Sequence, residues 1–201
     1  RYEKHQPGWV NAELQEYTDS TENIFVKDGR LIIKALKTQN NAGKDYYTSG
    51  KITTRGKRDF LYGKVVARAK VPAGQGLWPA FWMMGNDIGK IGWPNCGETD
   101  ILEMGHSNGM KNATQDRFLN GACHWGEPHH LYYANDITNE YSVQDGQFHT
   151  FTCIWDENQI AMYIDLETRP DAEPYFRMDI KDFGDNEFRK ENFILLNLAV
   201  G

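Results

Sequence analysis

YGKVVARAKVP, residues 62 to 72, alternates Val65, Ala67, Ala69 and Val71 with Lys64, Val66, Arg68 and Lys70. Successive side chains of a strand point to opposite faces, so the stretch predicts a β-strand with one face on a core and the other in water. The same period recurs on either side of it. RLIIKALK (30–37) reads as a strand, and HTFTCIWDENQIAMYID (149–165) reads as two strands about a polar DENQ turn, with Phe151, Cys153 and Trp155 on one face. ENFILLNLAV (191–200) is apolar enough for a strand buried on both faces, with a short helix as the alternative its pattern allows. Capped helical periodicity is nearly absent, while Gly, Asn and Asp cluster at 38–45, 85–97, 105–112 and 126–147 as turns or long loops. Many short strands with little helix predict an all-β sandwich or barrel. No repeat or linker composition divides the chain, so residues 1–201 are read as one domain.

Composition narrows the partners. A chain of 201 residues that is 40% hydrophobic can bury a sizeable core. A formal net charge of −6 repels phosphate backbones and argues against nucleic acid. Cys96, Cys123 and Cys153 allow at most one internal disulfide, which excludes a disulfide scaffold. No apolar run reaches membrane-spanning length, and the opening RYEKHQPGW is not a charged-then-apolar leader. Aromatic residues make up 13% of the chain, six of them Trp, which suits the stacking of flat rings.

GETDILEMG (97–105) crowds Glu98, Asp100 and Glu103 onto what otherwise reads as a strand. Strict alternation puts Glu98 and Asp100 on one face and Glu103 on the other. One inserted residue between Asp100 and Glu103, a β-bulge, would turn all three to the same side. Two carboxyls about 5–5.5 Å apart suit a retaining glycosidase, with one as nucleophile and the other as acid and then base. Such convergence requires the strand to bend, hence a concave sheet. The same acids would also suit an edge strand that repels intruders. The flanks favour the cleft: GQGLWPAFWMMG (74–85) sets Trp78 and Trp82 on one face, Trp93 precedes the acids, and GACHWG places His124 beside Trp125. For any single Trp, core packing is the ordinary role. His106, His129 and His130 lack zinc-ligand spacing, so no metal site is assigned, and EPHHLYY (127–133) is read as a cleft wall.

These segments, with GWVNAELQEYT (8–18), DGRLIIKA (28–35), YTSGKITTRGK (47–57) and FILLNLAVG (193–201), resemble glycoside hydrolase family 16, on its laminarinase-like endo-β-1,3-glucanase branch. The E-x-D-x-x-E spacing joined to GLWPAFW and GWP carries the resemblance. It implies a β-jelly-roll sandwich of two antiparallel sheets with a concave substrate cleft. It also implies Glu98 as nucleophile, Asp100 as assisting acid and Glu103 as acid/base. Asn11, Arg55, Trp78, Trp82, His124 and Trp125 would line the sugar subsites, with Gln75 and Asn197 as weaker candidates. No cofactor is required, and a structural calcium near both termini is admitted, though the sequence marks no ligands for it. Thr99, where relatives carry an aliphatic residue, is a departure expected to alter packing rather than chemistry, and Gly50, where a small or Ala side chain is common, is a mild change. The chain begins after the usual first strand and stops where relatives continue into a closing one.

The resemblance implies a retaining endo-β-glucanase acting on β-1,3 linkages in laminarin-type or mixed β-1,3/1,4-glucans, with the 126–147 loop selecting linkage. The expected protein is secreted, periplasmic or cell-surface, a monomer, with β-glucan as its partner. An algal galactan hydrolase of the same family and a non-catalytic glucan-binding protein are the competing readings. Acidic balance leans away from sulfated galactan, and the three intact acids lean away from a lost activity.

Overall fold

The computed structural model describes residues 1–126, 129–181 and 187–201. A six-stranded antiparallel sheet is ordered β11 (Leu131–Thr138), β10 (Phe118–Trp125), β9 (Glu98–Glu103), β8 (Leu77–Gly85), β15 (Asn192–Val200) and β6 (Lys51–Thr53). A four-stranded antiparallel sheet is ordered β14 (Phe176–Asp179), β13 (Gln159–Ile164), β12 (His149–Trp155) and β7 (Gly63–Ala69). β1 (Gln15–Tyr17), β5 (Asp45–Ser49) and β4 (Leu36–Gln39) form a small sheet, and β2 (Ile24–Lys27) pairs with β3 (Arg30–Ile33). The β1–β5 pair is parallel, the one exception among the described pairs to the antiparallel expectation.

The core lies between the two larger sheets because each supplies one apolar face. β7 turns Val65, Ala67 and Ala69 inward while Lys64, Val66 and Arg68 stay exposed, and β12 contributes Phe151, Cys153 and Trp155. Phe81, Met83, Ile101, Leu102, Leu119 and Cys123 meet them from the six-stranded sheet. Each large side chain so buried contributes roughly 1.5–3 kcal/mol. β15 is apolar on both sides for two reasons. Ile194 and Leu196 face the core, while Phe193 and Leu195 join Met84 and Cys96 in a second cluster on the opposite face. That opposite face carries the cleft.

Several stretches fold differently from the sequence expectation. RLIIKALK divides into β3 and β4, which belong to different sheets. The 85–97 and 105–112 loops each hold one helical turn, Ile88–Ile91 and Ser107–Lys111. Within 126–147, read as a loop, β11 pairs along the full length of β10. Seven of its eight residues are exposed, so this edge strand has no buried face to generate a period. Glu127 and Pro128 of the expected cleft wall lie outside the described residues. The three cysteines are free and buried. Gly50 is not a neutral exchange for Ala, since a Cβ there would sit 2.3 Å from Ile24 Cγ1. Among the described residues no helix is long and apolar enough to cross a membrane.

Candidate active site

The register around β9 explains how the acids meet. On β10, Ala122 pairs with Asp100 and Asn120 with Glu103, so a two-residue step on β10 opposes a three-residue step on β9. On β8 the single step from Phe81 to Trp82 spans Leu102 to Asp100. Ile101 is the extra residue, and the bulge lies where parity required it. Regular alternation would have put Leu102 in the cleft and Glu103 in the core, where an unpaired carboxylate costs several kcal/mol. The bulge instead sends Ile101 and Leu102 into the core together. Burying both outweighs a disrupted ladder hydrogen bond, which is worth about 0.5–1.5 kcal/mol net. Even that bond is replaced, because the buried Tyr175 hydroxyl donates to the Ile101 carbonyl. Thr99 sits on the core side, 2% exposed, with Cys123 Sγ 3.9 Å from its hydroxyl.

The acids open into a cleft of about 790 Å³ on the outer face of the six-stranded sheet. Trp93 Nε1 donates to Glu98 Oε2 at 2.8 Å, and Trp78 Nε1 donates to Glu103 Oε1 at 2.9 Å. Asp100, 3% exposed, lies between them and shares a hydrogen bond with Glu98. His124 Nε2 stands 3.2 Å from Asp100 Oδ2, off the hydrogen-bonding direction. Burial is the first cause of every shift here. It pushes Glu98 up to about 8, with the Asp100 charge adding to it. It pushes Glu103 up to about 7 against the opposing Trp78 hydrogen bond, and it raises Asp100 well above the carboxylate range.

Of the other expected site residues, Asn11, Arg55, Trp78 and Trp82 line the cleft. Asn11 adopts a left-handed φ of 52° at its rim, a conformation Asn tolerates better than most residues. Trp82 is held by Asn197 Oδ1 at 2.7 Å, and Asn197 in turn donates to the Tyr17 hydroxyl at 3.0 Å. His124 reaches Asp100 from beside the cavity rather than lining it. Trp125, expected in the cleft, faces the other way. Neighbours on a strand cannot share a face, so with His124 toward the acids Trp125 packs on the inter-sheet core, edge-on to Phe188 at 5.7 Å. Gln75 lines a separate depression with Gly105 and Gln144.

The N-terminal wall escaped the sequence reading, which set Trp93 ahead of the acids but gave it no role. His5 and Trp9 stack at 3.8 Å, and Lys51 Nζ lies 4.8 Å from the Trp82 ring centre and 3.3 Å from Glu3. An amphipathic run with no regular period offered no signal for this wall. His106 caps the Ser107–Lys111 turn, its side chain accepting from the Asn108 amide. Among the described residues, Glu98, Asp100 and His124 are the one acid–imidazole group whose ligand atoms, within 4.8 Å of each other, could share an ion. Calcium takes six to eight oxygens, and this set lies in the cleft rather than near both termini, so it does not fit the structural calcium.

Comparison with known proteins bears on what this site does. The model of Glycosyl hydrolases family 16 matches residues 11–175. Glucan endo-1,3-beta-glucosidase A1 of Niallia circulans is 32% identical over 206 residues, covering 96% of this chain and 29% of that protein. Glucan endo-1,3-beta-glucosidase of Cryptopygus antarcticus is 32% identical over 202 residues, covering 96% of this chain and 72% of that protein. The Bacteroides ovatus mixed linkage glucan GH16 structure, in complex with a G4G4G3G product, superposes with a TM-score of 0.83 at 34% identity, over 100% of this chain and 81% of that one. The chain thus spans less than a third of the N. circulans relative's length.

Proposed function

Because the chain belongs to glycosyl hydrolase family 16, we propose that it is a retaining endo-β-glucanase that cleaves β-1,3 linkages in laminarin-type or mixed β-1,3/1,4-glucans. The observation that carries this reading is the bulged β9, which turns Glu98 and Glu103 into one cleft, each held by an indole N–H. Glu103, raised to about 7, keeps a proton near neutrality and can give it to the glycosidic oxygen. Glu98 must be ionised when it attacks, and Asp100, which shares a hydrogen bond with it, orients it and holds the proton between them. Attack of the Glu98 oxygen on the anomeric carbon breaks the bond to the leaving sugar and forms a glycosyl ester. Glu103, now ionised, takes a proton from water, whose oxygen attacks the same carbon and frees Glu98.

One chain supplies both acids, so action as a monomer is sufficient. On this reading the enzyme meets its polymeric substrate as a secreted, periplasmic or cell-surface protein. The test is sugar release from laminarin and lichenan by the parent and by Glu98→Ser, with proton NMR of the first product. We expect the β-anomer first and a loss of more than a thousandfold in the variant. An α-anomer first, or a variant within tenfold of the parent, would overturn the assignment.

A further inference from the structure

Asp100 and His124 make a contact that hydrogen bonding does not explain. His124 Nε2 stands 3.2 Å from Asp100 Oδ2, yet that oxygen, on a residue only 3% exposed, has no hydrogen-bond partner. The other ring nitrogen of His124, Nδ1, lies 2.9 Å from His130 Nε2. Donation from Nδ1 to His130 leaves the Nε2 lone pair on the side of the carboxyl, so two acceptors stand together with no proton aimed between them. A cation between them removes the conflict. Among the described residues no Lys or Arg supplies it, since no salt bridge from either reaches Glu98 or Asp100.

The spacing fits a particular class of ion. Zinc binds imidazole nitrogen and carboxylate oxygen at about 2.0–2.2 Å in a tetrahedron, which sets its ligand atoms about 3.3 Å apart. The contact between His124 and Asp100 already has that span. One ligand atom from each of Glu98, Asp100 and His124 lies within 4.8 Å of the others, so a turn of the Glu98 carboxyl completes three ligands. Trp93 holds only Oε2 of that carboxyl. Calcium, which takes six to eight oxygens, finds too few here.

We infer that Glu98, Asp100 and His124 form an inhibitory site for a divalent transition-metal ion of the zinc class, with His130 as the residue that positions the imidazole. The consequence for activity rests on the glucanase reading: a Glu98 carboxylate bound to the ion cannot attack an anomeric carbon. The ion takes no part in the reaction. It binds where the nucleophile, its neighbouring acid and an oriented imidazole converge, and its charge offsets the two carboxylates.

The test uses the whole chain, freed of metal by chelator, and zinc ion alone. Isothermal titration calorimetry should show one zinc per chain, with no such binding by calcium at the same concentration. His124→Gln should weaken zinc binding about tenfold or more, and so should His130→Ala, which removes an exposed residue outside the ligand set. His106→Gln, which changes a histidine away from the cluster, should bind zinc as the parent does. Zinc at the concentration that fills the calorimetric site should stop laminarin hydrolysis by the parent, and EDTA should restore it. Zinc held as tightly by His124→Gln as by the parent would overturn the site. Should that variant not fold, unchanged affinity in His130→Ala overturns it instead. Hydrolysis indifferent to saturating zinc would overturn the inhibitory role. A metal-free parent that cleaves no glucan yet binds zinc would count against the glucanase reading and leave the ion site standing.

Discussion

Burial in a partly dry cleft, with the charge of neighbouring acids adding to it, raises the proton affinities of Glu98, Asp100 and Glu103. The sign for stability follows. A carboxyl raised in the folded state favours folding fully only below its unfolded value near about 4.3, and that contribution is lost as pH rises through the folded value. For Glu103 the loss runs up to about 7, and for Glu98 up to about 8. Glu103→Gln keeps an acceptor for the Trp78 N–H but removes one titrating charge. Its thermal midpoint relative to the parent should therefore be higher at pH 8.5 than at pH 5, as read by parallel thermal melts. A gain independent of pH would mean that ionising Glu103 in this buried setting is not what strains the site.

At the level of the strand, the bulge is the device that makes the acids a site, and Tyr175 is what makes the bulge tolerable. Ile101 adds a residue that neither neighbouring strand matches, and its carbonyl takes the Tyr175 hydroxyl as donor. Tyr175→Phe leaves a buried acceptor unpaired and should cost about 1–3 kcal/mol in urea unfolding. The same change made together with deletion of Ile101 should cost less, because the regular strand has no orphan carbonyl to satisfy. Equal costs in both backgrounds would place the contribution of Tyr175 in packing alone. Opposite the bulge, Gly121 admits Tyr175, Phe176 and Met162 so closely that an added Cβ would lie 3.0–3.1 Å from them.

Across the whole molecule, one sheet has a dry face and a wet one, and residues far apart in sequence complete the wet one. The N-terminal segment runs along the edge of β6, with the Glu3 amide donating to the Lys51 carbonyl at 3.0 Å, and so covers a strand edge while walling the cleft. Lys51, its side chain 8% exposed, balances its charge against Glu3 at 3.3 Å and against the Trp9, Tyr17 and Trp82 rings. Removing one partner of so enclosed a pair leaves the other charge poorly compensated. Glu3→Gln should speed hydrogen exchange at the residue 3 amide at least tenfold and raise KM for oligosaccharide more than it lowers kcat. Unchanged exchange at that amide would show that the wall is held by other contacts.

By sequence alone, period-two alternation in YGKVVARAKVP and HTFTCIWDENQIAMYID determined the sandwich strands, since a half-buried strand must repeat every second residue. The parity of Glu98, Asp100 and Glu103 likewise demanded an extra residue, because two adjacent apolar side chains and a third acid cannot all be accommodated by a regular strand. β11 stayed hidden for the converse reason: an edge strand exposed on both faces carries no period. Tertiary structure alone decided that Trp125 turns to the core, that Tyr175 caps the bulge, and that Glu3, Lys51 and Trp9 wall the cleft. Local pattern records which face a side chain prefers, whereas these contacts join residues up to 74 positions apart, and only chain packing brings such residues together.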